Sequence, residues 1–155
     1  MRKDKVNYYL DIADAVRSRS TCLRRQYGAI IVKNDEIVAT GYNGAPRGRK
    51  NCNEIGKCTR EILNIPSGER YELCRSVHAE ANAIISAQRS AMIGGTLYLA
   101  GRETLSGEIM NTTTPCSMCR RMIINVGIEK VICRTGDDSY SVTDVSEWIE
   151  HDDSL

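Results

Sequence analysis

The chain's 155 residues are enough for one domain with a core of its own, and with 41% hydrophobic residues it can fold without help from disulfides. A formal net charge of +1 lacks the basic excess of a nucleic-acid binder, so a small ligand is favoured over nucleic acid as partner. The N-terminus carries charges with no apolar run behind them, and no stretch approaches the ~18 apolar residues of a membrane span; no signal peptide and no membrane partner are expected, and a cytoplasmic location is the default.

Val6, Tyr9, Leu10, Ala13 and Val16 follow helical spacing behind a capping Asp4, which predicts a first helix over about Lys5 to Arg19. Gly28 to Lys33 and Glu36 to Tyr42 are β-branched and apolar around the turn pair Asn34-Asp35, a hairpin. Gly41 to Gly48 follows as a loop whose glycines and Asn-Gly pair allow positive φ. Asn51 to Ser76 is irregular, with a helical turn expected at Glu61 to Asn64 before Pro66. Ala79, Ala83, Ile84 and Ala87 mark the small-residue face of a second long helix ending at Gly94-Gly95, and Thr96 to Ala100 is a strand. Cys119, Met122, Ile123 and Val126 face one way on a further helix that Gly127 ends. Lys130 to Arg134 is a short strand suited to burial on both faces. The tail reads as an edge strand over Tyr140 to Thr143, then a helix capped by Asp144 that buries Val145, Trp148 and Ile149.

Strand–helix–strand units imply parallel neighbours with right-handed crossovers. The expected product is a single domain over residues 1–155: a three-layer α/β/α sandwich with a mixed central sheet. Basic residues crowd the first third, at Arg17, Arg19, Arg24, Arg25, Arg47, Arg49 and Lys50, while Asp152 and Asp153 close an acidic tail. That cluster is either solvated surface or a phosphate site.

Seven cysteines, an odd number, argue against a complete disulfide framework and for reduced or metal-bound thiols. His78, Cys116 and Cys119 can offer three protein ligands to zinc, leaving a fourth tetrahedral position open, as in catalytic rather than structural sites. Both halves of this set fall at expected helix N-termini, where unpaired N–H groups favour thiolates. Pro115 suits a first helical turn. Glu80, two residues past His78, is spare to carry protons. A purely structural cysteine pair would have no use for it. His-x-Glu followed by Pro-Cys-x-x-Cys is a known signature of zinc deaminases that act on nucleobases. The reaction it supports is attack at an amine-bearing ring carbon with loss of ammonia.

The chain resembles the deoxycytidylate deaminases of the cytidine deaminase superfamily from about Arg17 to Arg134. The likeness rests on Tyr27 to Val32 (YGAIIV), Thr40 to Pro46 (TGYNGAP), Cys74 to Ile84 (CRSVHAEANAI) and Pro115 to Cys119 (PCSMC). It implies a cytidine deaminase-like fold and conversion of dCMP to dUMP, supplying thymidylate synthesis. It also implies that Asn43 contacts the nucleotide sugar, that Ala79 belongs to the substrate site, and that the GYNG segment takes part in dCTP binding. Activation by dCTP, inhibition by dTTP and a homo-oligomer, favouring a hexamer, are further implications. A 5′-phosphate would be read by some of Arg24, Arg25 and Arg47, and Tyr140 is a candidate on the base or phosphate side. Gly101 to Thr113 is longer than the link expected before the Pro-Cys motif, and the chain ends early, so residues the family supplies near its C-terminus are expected to be missing. The rival readings are a tRNA adenosine or other cytidine-type zinc deaminase, and a zinc-bearing interaction module without catalysis.

Of the remaining five cysteines, Cys133 lies in an apolar strand and reads as core. Cys22, Cys52, Cys58 and Cys74 lie in polar, loop-like sequence and are candidates for a closed structural Cys₄ zinc. The resemblance supports this, since some family members carry a second zinc with ligands from corresponding regions. Unbound thiols, or a three-cysteine site without Cys58, are the alternatives.

Overall fold

Asp4 opens the first helix by accepting the backbone N–H of Asn7 at 2.9 Å, a donor that would otherwise have no partner inside the helix. The structure, a computed structural model, describes residues 1–152; Asp153 of the acidic tail lies outside the described residues. Helix α1 spans Lys5–Arg17, two residues shorter than its pattern predicts. Both the N–H and the hydroxyl of Ser18 turn back onto the Ala15 carbonyl and end it there.

Strands β1 (Arg25–Lys33) and β2 (Glu36–Tyr42) form the predicted hairpin, with Asn34 and Asp35 both at positive φ, 51° and 62°, as a two-residue turn between twisted strands requires. The irregular segment holds α2 (Cys52–Ile55), α3 (Thr59–Ile62) and a 3₁₀ turn at Tyr71–Leu73. The predicted second long helix is two: α4 (Ala79–Ile85) and α5 (Arg89–Met92). Ser86 stops the first, its hydroxyl donating to the Asn82 carbonyl at 2.7 Å. Then come β3 (Thr96–Glu103), α6 (Ser117–Val126) closed by Gly127 at φ 87°, β4 (Lys130–Arg134), β5 (Tyr140–Asp144) and α7 (Val145–Glu150). In α7, Val145 is buried and Trp148 packs against the core, but Ile149 is 57% exposed, contrary to expectation, because so short a helix buries only a narrow stripe. Among the described residues no helix is long and apolar enough to cross a membrane.

The five strands form one sheet in the order β2-β1-β3-β4-β5. Parallel pairing is found between β3 and β4, which flank α6, whereas β2 and β3 are not neighbours: β1 lies between them, antiparallel to both. Residues 28–32 of β1 are buried or nearly so throughout, which suits a strand paired on both sides, while β2 exposes Glu36, Ile37 and Thr40 at the sheet's edge. Alternation along β1 sorts the core into two layers. Ile30 and Val32 pack with Tyr9, Leu10 and Ala13 of α1 on one face; Ala29 and Ile31 pack with Ala79 and Ala83 of α4 and Ile123 and Val126 of α6 on the other. This is the expected three-layer α/β/α arrangement with a mixed sheet.

Two glycines let the layers touch. A Cβ on Gly28 would lie 2.0 Å from the Ala13 carbonyl oxygen, and one on Gly41 would lie 2.4 Å from backbone atoms of both Ala79 and Ala83. In the loop after β2 the positive φ falls at Gly48; Gly41 serves close approach instead. Arg134, 3% exposed at the end of β4, is held by Asp11 Oδ1 at 2.7 Å and Asn7 Oδ1 at 2.9 Å, so α1 meets a buried charge with a carboxylate and an amide. The extra length at Gly101 to Thr113 folds back on β3: Glu103 N–H donates to the Glu108 carbonyl and Met110 N–H to the Gly101 carbonyl, both at 3.0 Å. Thr104 then braces the approach to β1, its N–H on the Arg24 carbonyl and its hydroxyl on the Cys22 carbonyl, each at 3.0 Å.

Candidate active site

His78 is the N-cap residue of α4 and Cys116 that of α6, so the two helices that cover one face of the sheet each deliver their first turn to the same point. Pro115 stands just ahead of that cap, buried, rather than inside the first turn. The GYNG segment clamps this entry. Gly44 and Val77 exchange backbone hydrogen bonds of 3.2 and 2.7 Å immediately before His78, and Asn82 of α4 donates to the Tyr42 carbonyl at 2.8 Å.

His78 Nδ1 lies 3.5 Å from Cys116 Sγ and 3.4 Å from Cys119 Sγ, and the three ligand atoms fall within 4.8 Å of one another. Zinc bonds of about 2.3 Å to sulfur and about 2.0–2.1 Å to nitrogen at tetrahedral angles place N and S about 3.6 Å apart. The donor set therefore fits zinc. Its protonation points the same way. Cys116, then Cys74, hold the His78 ring protonated up to about 10 against the effect of burial. The hydrogen bond with Cys119 draws Cys116 down to about 4, while the same contact and burial push Cys119 up. The three groups compete for protons that a cation would displace.

Glu80, in the first turn of α4, is 5% exposed, and burial pushes its carboxyl up from the usual range. It lines the same cleft as His78 and Cys116, a space of about 760 Å³ including its mouth. Tyr27, whose phenol burial pushes up to about 12, stands in the wall. Of the proposed substrate residues, Asn43, Arg24 and Arg25 reach this cleft. Asn43 is 6% exposed and mostly committed within the protein: Oδ1 accepts from Ser20 Oγ at 2.5 Å and Tyr27 N–H at 2.8 Å, and Nδ2 donates to the Arg25 carbonyl at 2.9 Å. One amide hydrogen is left over for a ligand. Arg47 is exposed on its loop, Ala79 is packed under the sheet and Tyr140 begins β5; none of them lines the cleft.

The four thiols expected to close on a structural zinc share one region, since Cys22, Cys74 and Cys58 each add to the upward push that burial gives Cys52. They do not assemble as a ligand set: among the described residues, His78, Cys116 and Cys119 are the group of three or more metal-ligating side chains whose atoms all lie within 4.8 Å. Three of the thiols have other partners. Cys22 Sγ accepts from Arg24 N–H at 3.4 Å and Cys52 Sγ meets Ser76 Oγ at 3.9 Å. Burial pushes Cys74 up, but its hydrogen bonds with His78 and the Ser76 backbone, together with the nearby His78 and Arg60 charges, outweigh that and hold it below the ordinary thiol range. Cys22, Cys58 and Cys74 line the cleft itself. Cys133 is core as expected, 4% exposed, with burial pushing its thiol up to about 12.

Arg60 and Tyr71 also line the cleft and carried no signal in the sequence, where they sit in an irregular, polar stretch. Tyr27 lies inside the YGAIIV motif, just ahead of the expected strand, with no site role expected for it.

Comparison with known proteins accords with this geometry. The cytidine and deoxycytidylate deaminase zinc-binding region matches residues 3–135. The deoxycytidylate deaminase of Mycobacterium phage D29 is 38% identical over 136 residues, covering 84% of this chain and 94% of that protein. That of Schizosaccharomyces pombe is 34% identical over 131 residues; the match covers 83% of this chain but only 36% of the yeast protein. The dCMP deaminase of cyanophage S-TIM5, solved in apo form, superposes with a TM-score of 0.60 at 29% identity, covering 89% of this chain and 88% of that one. With His78, Cys116 and Cys119 in zinc-binding geometry within the matched residues, the chain belongs to the cytidine and deoxycytidylate deaminase family of zinc enzymes.

Proposed function

We propose that this protein hydrolyses dCMP to dUMP and ammonia. The observation that carries the reading is one cleft lined by two kinds of group: His78, Cys116 and Glu80, and the guanidinium-bearing Arg24 and Arg25. A nucleobase and its phosphate make the complementary pair of demands. The cyanophage S-TIM5 dCMP deaminase, 28% identical with a TM-score of 0.59, has been solved in complex with dCMP and dUMP.

Zinc, when bound, supplies a water acidic enough to attack near neutral pH. His78, Cys116 and Cys119 would hold the ion, the two thiolates offsetting its charge. Glu80 takes one proton of the attacking water and gives it to the ring nitrogen, then takes the second from the hydroxyl now on the ring carbon and gives it to the amine, so that the C–N bond breaks and ammonia leaves as the ring carbonyl forms. Its burial serves that task, because a carboxyl pushed up from the usual range takes a proton more readily and is brought nearer the working pH at which it must also return it. Tyr27 and Asn43 line the same cleft.

Ammonia release measured over dCMP, CMP, dCTP, deoxycytidine, cytosine and adenosine-bearing tRNA tests the reading: dCMP should be turned over with the highest kcat/KM, and preference for any other member would replace it. Homo-oligomeric assembly, with a hexamer favoured, and control by dCTP and dTTP belong to the same proposal; sedimentation with and without each nucleotide tests them.

A further inference from the structure

Arg60 lies on the four-residue helix α3 and is 6% exposed. Its Nη2 donates to the carbonyls of Pro66 at 2.7 Å and Glu69 at 2.9 Å, and its guanidinium carbon stands 4.3 Å from the centre of the Tyr71 ring. Its Nε is buried without a hydrogen-bond partner, alone in this among side-chain nitrogens and oxygens of the described residues. Among the described residues no carboxylate within ion-pair distance offsets its charge there either. The two other arginines of the cleft differ: Arg24 pairs with Glu61 at 3.0 Å and Arg25 with Glu103 at 3.7 Å. A buried cation without an opposite charge is costly, and a cleft that keeps one has an anion to meet it.

Position narrows the anion. Tyr71 bridges Arg60 to His78, whose ring centre is 5.2 Å from that of Tyr71, so the guanidinium lies within about 10 Å of the metal-ligating ring on the same cleft wall. A nucleoside monophosphate covers such a span between its base and its phosphate. We propose that Arg60 reads the nucleotide's phosphate together with Arg24 and Arg25, supplying the unneutralised charge that those two, already paired with carboxylates, lack. A planar guanidinium held by two carbonyls and an aromatic face is preorganised for phosphate oxygens. This assignment rests on the nucleotide reading above.

The test compares Arg60→Gln and Arg60→Lys with wild type on dCMP and deoxycytidine, alongside calorimetric binding of dUMP and deoxyuridine and zinc content. For Arg60→Gln, kcat/KM on dCMP should fall by roughly 10- to 100-fold, the worth of a charge-assisted hydrogen bond. It should fall much less on deoxycytidine, and dUMP should lose its binding advantage over deoxyuridine. Arg60→Lys, which keeps the charge without the fork, should lose part of the discrimination; if Arg60→Gln does not fold, this variant decides. Equal losses on both substrates would overturn the proposal and leave Arg60 as a pin for the Pro66 to Glu69 loop, with the dCMP reading intact. A wild type indifferent to the phosphate would overturn both.

Discussion

Tyr71 presents its edge to the His78 ring, with centroids 5.2 Å apart and planes at 80°. The histidine is thus held on one side by an aromatic ring from an otherwise irregular segment and on the other by two cysteines at the start of α6. Tyr71 is itself held by the Arg60 guanidinium over its face and by Gly68 N–H, which donates to its hydroxyl at 3.1 Å. An edge-to-face pair contributes about 0.5–1.5 kcal/mol. Tyr71→Leu should therefore weaken zinc retention about 2- to 10-fold in a chelator competition, and Tyr71→Phe, which keeps the ring, should restore most of it. Equal behaviour of the two variants would show that the ring does not orient His78.

Glu80→Gln should retain zinc at the wild-type level and lose roughly 10²–10⁴-fold in kcat, because a positioned proton carrier is removed while the three ligands stay. Metal analysis beside a steady-state ammonia assay checks both halves. Near-normal turnover would sink the proton-carrier role.

Zinc content should be one ion per chain in protein purified without chelator, and Cys52→Ser should leave it at one. The reason is that Cys22, Cys52, Cys58 and Cys74 do not converge on one point as the His78 set does. Two ions in wild type, falling to one in Cys52→Ser, would mean that the four thiols close on a second zinc after all.

Gly41→Ala should cost about 1–3 kcal/mol or more of stability and reduce activity as well. Its Cβ would fall 2.4 Å from the Ala79 oxygen and the Ala83 nitrogen, backbone atoms that cannot swing aside. Helix α4 must then move, and with it His78 and Glu80. A denaturant melt and an activity measurement on the same preparation read the two effects; an unchanged midpoint would contradict the close approach.

Asp14 ties α1 to β3, accepting from Arg17 Nε at 2.7 Å and Arg102 Nε at 2.9 Å. Burial pushes its carboxyl up, but the hydrogen bonds from Arg102 and Arg17 outweigh that and hold it below its ordinary 3.8. A carboxylate depressed in the folded state stabilises the fold above its ordinary value and ceases to do so as pH falls through the folded value. Asp14→Asn should cost about 1–3 kcal/mol near neutrality, the range for hydrogen bonds to a charged group. The gap to wild type should narrow below about pH 4. Denaturation midpoints across that window measure it, and a constant gap would exclude the linkage.

Several elements were legible because their determinants are local. Glu36–Tyr42 and Lys130–Arg134 form over the residues their β-branched patterns mark, and Gly127 ends α6 because only a left-handed residue suits that position. Cys116 and Cys119 converge because they share one helical turn, and Asp4 caps the residue three places on. The break between α4 and α5 was hidden, since a Ser hydroxyl turning onto the carbonyl four residues back leaves the apolar pattern undisturbed.

By itself, then, the sequence marked the candidate zinc ligands, the candidate proton carrier and most local elements, because spacing along the chain settles which groups share a turn or a face. Only the tertiary structure decided what meets across long separations. It brought His78 to sulfurs 38 and 41 residues away, set β1 between β2 and β3, and turned Cys22 and Cys52 to separate partners. It also buried Arg60 beside Tyr71 within a stretch that reads as surface. Periodicity carries no information about such encounters; they follow from packing, where each side chain settles against whatever the sheet and its covering layers leave within reach.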